Sequence, residues 1–381
     1  MYKYSFRVVT KAEEWEQIKF DWNALQTKSD YNNIFLTYEW LSTWWSFFGK
    51  GELSIVLIKN GNDIISILPL YVSRFGLIRI LRFIGTGVSD YGCFIIDKSY
   101  DAVEILNQAF DFICSNLLWD IYDMQQIPEV TSLYQYLNKN IGIFTNSNIF
   151  DVKFYKIGKC YYISKNNQSF VHEYNTKFFS KIQRRANKLK RLGNVTHYES
   201  QKFEQALMQR FFDMHIRKWQ KSGKVSDFAF KKYREFHSEI AQKFSRNSWM
   251  SFSAIKSDDD YIAFTYAYKY NDKIYWYTKT YDPDFAKYSP GHLAALYDLN
   301  FIKNSEFTEV DLLRGEEDYK LHWTKQFRLN YRFVLFKKSV KCIVYRFYII
   351  IMDRLYHTKR FYRLTRYLYK VLRQCRLFFR K

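Results

Sequence analysis

Apolar positions recur along this chain at two periods, and the alternation between them lays out its elements. In residues 11–26 the side chains Trp15, Ile18, Trp22 and Leu25 fall three and four apart, which predicts one helix, and 38–48 predicts a second, rich in aromatics. Strand-like runs follow at 53–59, 64–73 and 77–84, with Asn60-Gly61-Asn62-Asp63 as the turn of a hairpin and Arg74-Phe75-Gly76 as a second turn. A helix at 101–116 and a strand at 120–124 complete the first half.

A similar order returns after about residue 155. A strand at 160–164 precedes a helix at 176–192 ended by Gly193, then a strand at 195–199. Long helices at 203–220 and 228–244 lead into strands at 250–256, 261–270 and 273–281, a helix at 291–303, and strands at 309–313 and 328–336. Two halves with one element order predict a duplicated α/β unit, helices on mixed and largely antiparallel sheets, divided into 1–155, 156–337 and a tail, 338–381.

The tail keeps helical spacing through Val340, Ile343, Val344, Phe347, Ile350, Ile351 and Leu355, and again through Phe361, Leu364, Leu368, Val371, Leu372, Cys375 and Phe378. It holds thirteen Lys or Arg against the single acid Asp353, a net +12 of the chain's +21, so it is a separate electrostatic object. Basic amphipathic helices suit an anionic membrane surface. The same charges suit tRNA or another nucleic acid, and a helix packed on the body is a third reading.

Composition narrows the class. At 381 residues, with only 4 Pro and 13 Gly, the chain is neither collagen-like nor long disordered polymer and has room for two domains. Aromatics reach 20%, but Lys, Asn, Ile, Phe and Tyr rise together in AT-rich coding sequence, so this is not read as a ligand signal. The cysteines, Cys93, Cys114, Cys160, Cys342 and Cys375, are odd in number and widely spaced, which argues against zinc sites and disulfide scaffolds and suits a reducing compartment. Residues 1–10 lack the apolar core of a secretion signal, and the longest uncharged apolar stretch, within 343–352, is interrupted by Arg346, so no spanning helix is expected.

Several phrases taken together carry a resemblance. Phe35-Leu36-Thr37-Tyr38-Glu39-Trp40 with Trp44-Trp45, Ile67-Leu68-Pro69-Leu70, Phe83-Ile84-Gly85 and Ser89-Asp90-Tyr91 come first. Arg184-Arg185-Ala186 with Gly193, Trp219 with Gly223, Tyr281-Asp282-Pro283, Tyr288-Ser289-Pro290-Gly291, Asp311-Leu312-Leu313-Arg314-Gly315, and Tyr319-Lys320 with Trp323 follow. In this order they resemble the GNAT-type acyltransferases of cellulose and exopolysaccharide biosynthesis over about residues 30–325, and are similar to the Fem-type aminoacyl transferases that modify peptidoglycan precursors. The resemblance implies tandem GNAT domains and cytoplasmic acyl transfer at the inner membrane face. The donor would be acetyl-CoA or another acyl-CoA, or less often aminoacyl-tRNA, and the acceptor an amine or hydroxyl of a saccharide or envelope precursor. A non-catalytic subunit of a polysaccharide synthase is the remaining alternative.

The residues add their own chemistry. Ser289, Pro290, Gly291 and His292 are suited to open a helix whose amides and dipole could hold a pyrophosphate, although the fuller glycine pattern of a GNAT turn is missing. Residues 311–320 are an unusually polar stretch where a strand ends and a helix begins; Asp311 or Glu316 is the candidate base and Tyr319 the candidate acid for a departing thiolate. Asp90, Arg184, Arg185, Trp219, Asp282 and Lys320 are candidate substrate-binding residues. The seven histidines show no metal-ligand spacing, and no metal is expected. Lys177, Lys181, Arg184 and Lys188 share one helical face that could grip phosphates or be merely solvated.

Overall fold

A computed structural model describes residues 2–165 and 176–357. His172 and the part of the expected tail from 358 onward lie outside the described residues. The first half runs β1 (Ser5–Val9), α1 (Ala12–Gln17), α2 (Lys19–Lys28), α3 (Tyr38–Phe48), β2 (Glu52–Leu53), β3 (Ile55–Asn60), β4 (Asp63–Leu68), β5 (Leu70–Phe75), β6 (Ile78–Phe83), β7 (Ile95–Ile96), α4 (Ala102–Asn116), β8 (Ile121–Pro128), α5 (Ser132–Thr145) and β9 (Phe150–Ser164). The second runs α6 (Thr176–Lys190), β10 (Val195–Ser200), α7 (Gln205–Lys221), α8 (Lys231–Arg246), β11 (Met250–Ser257), β12 (Asp260–Tyr270), β13 (Lys273–Tyr281), α9 (Pro290–Lys303), β14 (Glu309–Arg314), β15 (Phe327–Lys337) and α10 (Val340–His357).

The fold is mixed α/β with the expected duplication. Each half contains antiparallel strands and one parallel pair joined through a helix: β6 with β8 around α4, and β13 with β14 around α9. An eleven-stranded sheet, in the order β10-β11-β12-β13-β14-β9-β15-β8-β6-β5-β2, runs through both halves, and β1-β3-β4-β7 form a smaller one. The boundary expected between 155 and 156 falls inside β9. That strand and β15, paired from Phe327↔Tyr161 to Lys337↔Phe150, stitch the halves together.

Two expected elements are divided. The helix at 11–26 breaks at Ile18, whose φ of −95° and ψ of 12° leave the α region. The strand at 64–73 breaks at Pro69, which has no N–H for a ladder, so β4 pairs in the small sheet and β5 in the large one. The helix α5 went unpredicted although Thr131 caps it, accepting from Tyr134 N.

One aromatic core spans both halves. Trp40 of α3 donates through Nε1 to Ser89 Oγ at 2.8 Å and packs its ring on Phe236 and Phe244 of α8 and Tyr268 and Tyr277 of β12 and β13. Each such pair contributes roughly 0.5–1.5 kcal/mol beyond the area it buries. The packing fixes the first half against the strands that build the site.

Candidate active site

The parallel pairing of β13 with β14 lasts three positions, Lys273↔Glu309, Ile274↔Val310 and Tyr275↔Asp311, and then the strands part. Each carries an extra residue at the parting. Tyr275 and Thr278 of β13 face Tyr268 and Tyr266 of β12, three steps against two, and Asp311 and Arg314 of β14 face Tyr162 and Cys160 of β9 in the same way. Such a bulge inverts which face later side chains take. It turns Lys279 toward α9 beside Trp276, and points both Asp311 and Arg314 at the loop holding Asp90 and Tyr91. Leu313, at φ 61°, and Gly315, at φ 119°, complete the bend; a Cβ on Gly315 would collide with the Glu317 carboxylate. Between the parted strands lies a cavity of about 760 Å³, reached by Gly87, Val88 and Asp90 from the first half.

Charge is arranged around this gap. Asp90 pairs with Arg314 at 2.5 Å, and burial raises its carboxyl to about 6 against the pull of Arg314 and Lys320. Asp311 accepts from Tyr91 Oη at 2.7 Å and Leu313 N at 2.8 Å and pairs with Arg328; at 1% exposure, burial holds its carboxyl above the usual range. Lys320 Nζ donates to the carbonyls of Leu313, Arg314 and Gly315 at 3.1, 2.9 and 3.1 Å, fastening the bend. Lys279 lines the cavity with its Nζ 3.5 Å from Asp298, which is itself held by Ser253 Oγ at 2.6 Å and Thr265 Oγ1 at 2.9 Å. Burial lowers the Lys279 ammonium to about 7 despite that carboxylate, and lowers Lys218 to about 8. An amine near 7 is poised for proton transfer at neutral pH.

The N-terminus of α9 closes one end. Ser289 sits at the cap position with φ 56°, so its hydroxyl caps nothing and instead accepts from Arg185. Pro290 has no amide hydrogen, and the amides of His292 and Leu293 bond the Ser289 carbonyl at 3.0 and 3.1 Å, so Gly291 supplies the remaining donor of the first turn. A Cβ on Gly291 would meet the Tyr281 ring at 3.2 Å, and Lys218 lies 4.5 Å from the centroid of the same ring. Burial, reinforced by His322 and Lys279, depresses His292 to about 4, so its imidazole is neutral. A diphosphate placed here meets one amide, two cations and a helix dipole; the cations stand in for a glycine-rich run, and the set fits an anionic donor.

Residues 176–321 match the acetyltransferase (GNAT) domain family. The stretch includes both parted strands and α9. Among solved structures the chain is similar to FemX, at 9% identity over 86% of this chain and 96% of that one with a TM-score of 0.58. It is also similar to a conserved protein of unknown function from Bacteroides thetaiotaomicron, at 11% identity over 88% and 100% with a TM-score of 0.52. These two likenesses bear on the fold. No curated protein matches the sequence.

Residues 176–321 and the loop of the first half bring Asp90, Trp219, Tyr319 and Lys320 to one cavity with Ser289, Gly291 and His292. Other expected site residues stand elsewhere. Asp311 is buried behind the cavity wall, and Glu316 is exposed, 3.5 Å from Lys159. Asp282 caps a 3-10 turn, accepting from Asp284 N at 2.9 Å, and pairs with Arg217. Arg184 lines a second groove of about 650 Å³ between α6 and α9, with Lys188 and Arg191. Lys279, Lys218, His215 and His237, which also line the cavity, escaped the sequence reading because their facing depends on the bulge and on contacts between distant elements. Among the described residues no group of three His, Cys, Asp or Glu could hold a metal ion, and no helix is long and apolar enough to cross a membrane.

Proposed function

We propose that this protein is an acyltransferase that moves an acyl group from acyl-CoA, acetyl-CoA being the simplest, to an amine or hydroxyl of a saccharide or envelope precursor of the exopolysaccharide kind. The observation that carries the reading is the cavity at the parting of β13 and β14, cationic at the α9 end and containing a lysine lowered to about 7. Acyl-CoA, when bound, supplies the acyl group as a thioester. Gly291 N–H, Arg185 and Lys218 take its anionic charge. Lys279, unprotonated in part at neutral pH, receives the proton of the attacking acceptor, and Asp298 steadies the ammonium that results. Tyr319, whose phenol burial raises well above its usual range, stays protonated and donates a hydrogen bond toward the departing sulfur. Asp90, Arg314 and Trp219 face the acceptor, and Asp311 positions Arg328 and Tyr91 behind them. In this reading the basic segment 338–381 holds the enzyme peripherally at the cytoplasmic face of a membrane.

A second reading, transfer from aminoacyl-tRNA, is favoured by the groove of Arg184, Lys188 and Arg191, which suits a phosphate backbone. Thermal unfolding separates the two. Acetyl-CoA at about a hundred times its Kd should stabilise the protein by about 2.7 kcal/mol, with charged tRNA giving nothing. Stabilisation by charged tRNA alone would transfer the assignment to the second reading, and by neither would leave the accessory subunit.

A further inference from the structure

The helix α10 is apolar on two sides, and the body covers one of them. Cys342 and Tyr345 are buried with Ile78, Ile80, Ile121, Val334 and Phe336, Arg82 donates to Tyr345 Oη at 3.1 Å, and Arg346 bonds Asp151. On the outward side Val340, Ile343, Val344, Phe347 and Ile351 form a stripe about 100° wide. All five are between 51% and 78% exposed.

Strand register adds to this surface. Ile80↔Ile121, Phe336↔Ile121 and Lys337↔Phe150 align the starts of β6, β8 and β9 with the end of β15, where α10 begins. The residues just before those three strands include Leu77, Leu118 and Ile149, which are 83%, 72% and 63% exposed. Lys338 N bonds Ile149 O at 2.9 Å, so loop and helix are contiguous. Eight exposed apolar side chains therefore gather at one end of the molecule, an uncommon concentration unless something covers it. The residues around it are Lys337, Lys338 and Lys341, and residues 358–381, which follow directly, contain nine Lys or Arg and no acid. Asp120 and Asp151, beside these strand ends, are already engaged with Arg79 N and Arg346, and α10 itself carries Asp353 near its end.

We propose that this end of the first half, the outward stripe of α10 together with Leu77, Leu118 and Ile149, is a docking face for an anionic lipid bilayer. The proposal deepens the membrane placement of the tail and rests on it for the choice of partner. What it adds is a rigid, oriented face that extends beyond the basic segment through Leu77, Leu118 and Ile149: an apolar stripe sinks to the acyl boundary while the adjoining cations meet the headgroups. Because α10 is clamped through Cys342, Tyr345 and Arg346, the body is held in one orientation; β9 runs from this face at Phe150 to the cavity level at Cys160, a span of roughly 33 Å.

The test is sedimentation of the full chain with vesicles of phosphatidylcholine and phosphatidylglycerol. Three full-length variants are compared with wild type: Val344→Glu with Phe347→Glu, Leu77→Glu with Leu118→Glu, and Arg363, Arg366, Lys370 and Arg373 each→Gln. Both apolar-to-Glu pairs should weaken vesicle binding about tenfold or more with unchanged melting temperature, since the sites are exposed. If they bind like wild type while the glutamine variant does not, the tail alone docks and this face is refuted with the membrane reading intact. If wild type ignores the vesicles, both fall. A wild-type dimer that Val344→Glu with Phe347→Glu dissolves, or a drop in melting temperature without loss of vesicle binding, would assign the stripe to a second copy or to the chain's own tail and overturn the proposal.

Discussion

In the proposed reaction, Lys279 is the residue on which the chemistry turns. Its amine is lowered to about 7 by burial, so the unprotonated base is present above that pH and lost below it. Turnover should therefore rise as pH climbs through about 7. Lys279→Arg keeps the charge but does not titrate in this range, so it should remove that limb of the pH profile and cost roughly 10²- to 10⁴-fold in kcat, the usual worth of a positioned base. A wild-type limb surviving in the variant would assign it to another group. Nothing in the sequence around Thr278-Lys279-Thr280 distinguishes this lysine from the chain's many others. Asp90 and Tyr319, by contrast, were visible as members of a family phrase and an unusual polar stretch, and both reached the cavity. Asp311 stands out in the sequence as an acid in a strand, but it lies behind the cavity wall, and the Tyr91 hydroxyl and Arg328 that hold it belong to other elements that no local pattern could name.

At the scale of elements, the start of α9 is where sequence and structure agree in place and differ in means. Proline and glycine marked the turn, but the left-handed Ser289 and the bonded amides of His292 and Leu293 leave a sparse cradle that leans on Arg185 and Lys218. Gly291→Val places branched methyls against the Tyr281 ring and should abolish stabilisation by acetyl-CoA while the stability of the free protein changes by about 1 kcal/mol or less, the ordinary cost of such a change near a helix end. Undiminished stabilisation would reduce the turn to a helix start. The divided strand at Pro69 and the divided helix at Ile18 carry the same lesson. A period shows that an element exists, whereas where it stops depends on a missing N–H or a single dihedral. The bulges were unreadable because an extra residue leaves composition and period nearly untouched while reversing every facing beyond it.

For the whole molecule, the duplication was legible in the repeated order of elements, but the seam was not. β9 of the first half pairs with β14 and β15 of the second, β15 pairs with β8 and β9 of the first, and Trp40 carries the first half into the aromatic core of the second. Unfolding in urea should then be one transition, coincident by tryptophan fluorescence and far-ultraviolet circular dichroism, and residues 1–155 produced alone should not fold, because β8 would lose β15, one of its two neighbours. Two separated transitions would mean that the halves are independent after all. The same seam sets a clock. Strand β8 ends at Pro128 and its partner β15 begins only at Phe327, about 200 residues later, which at roughly 5–20 residues per second is some 10–40 s of synthesis. Throughout that interval the nascent first half waits at the ribosome with one flank of its sheet open, and that flank closes only when β15 emerges.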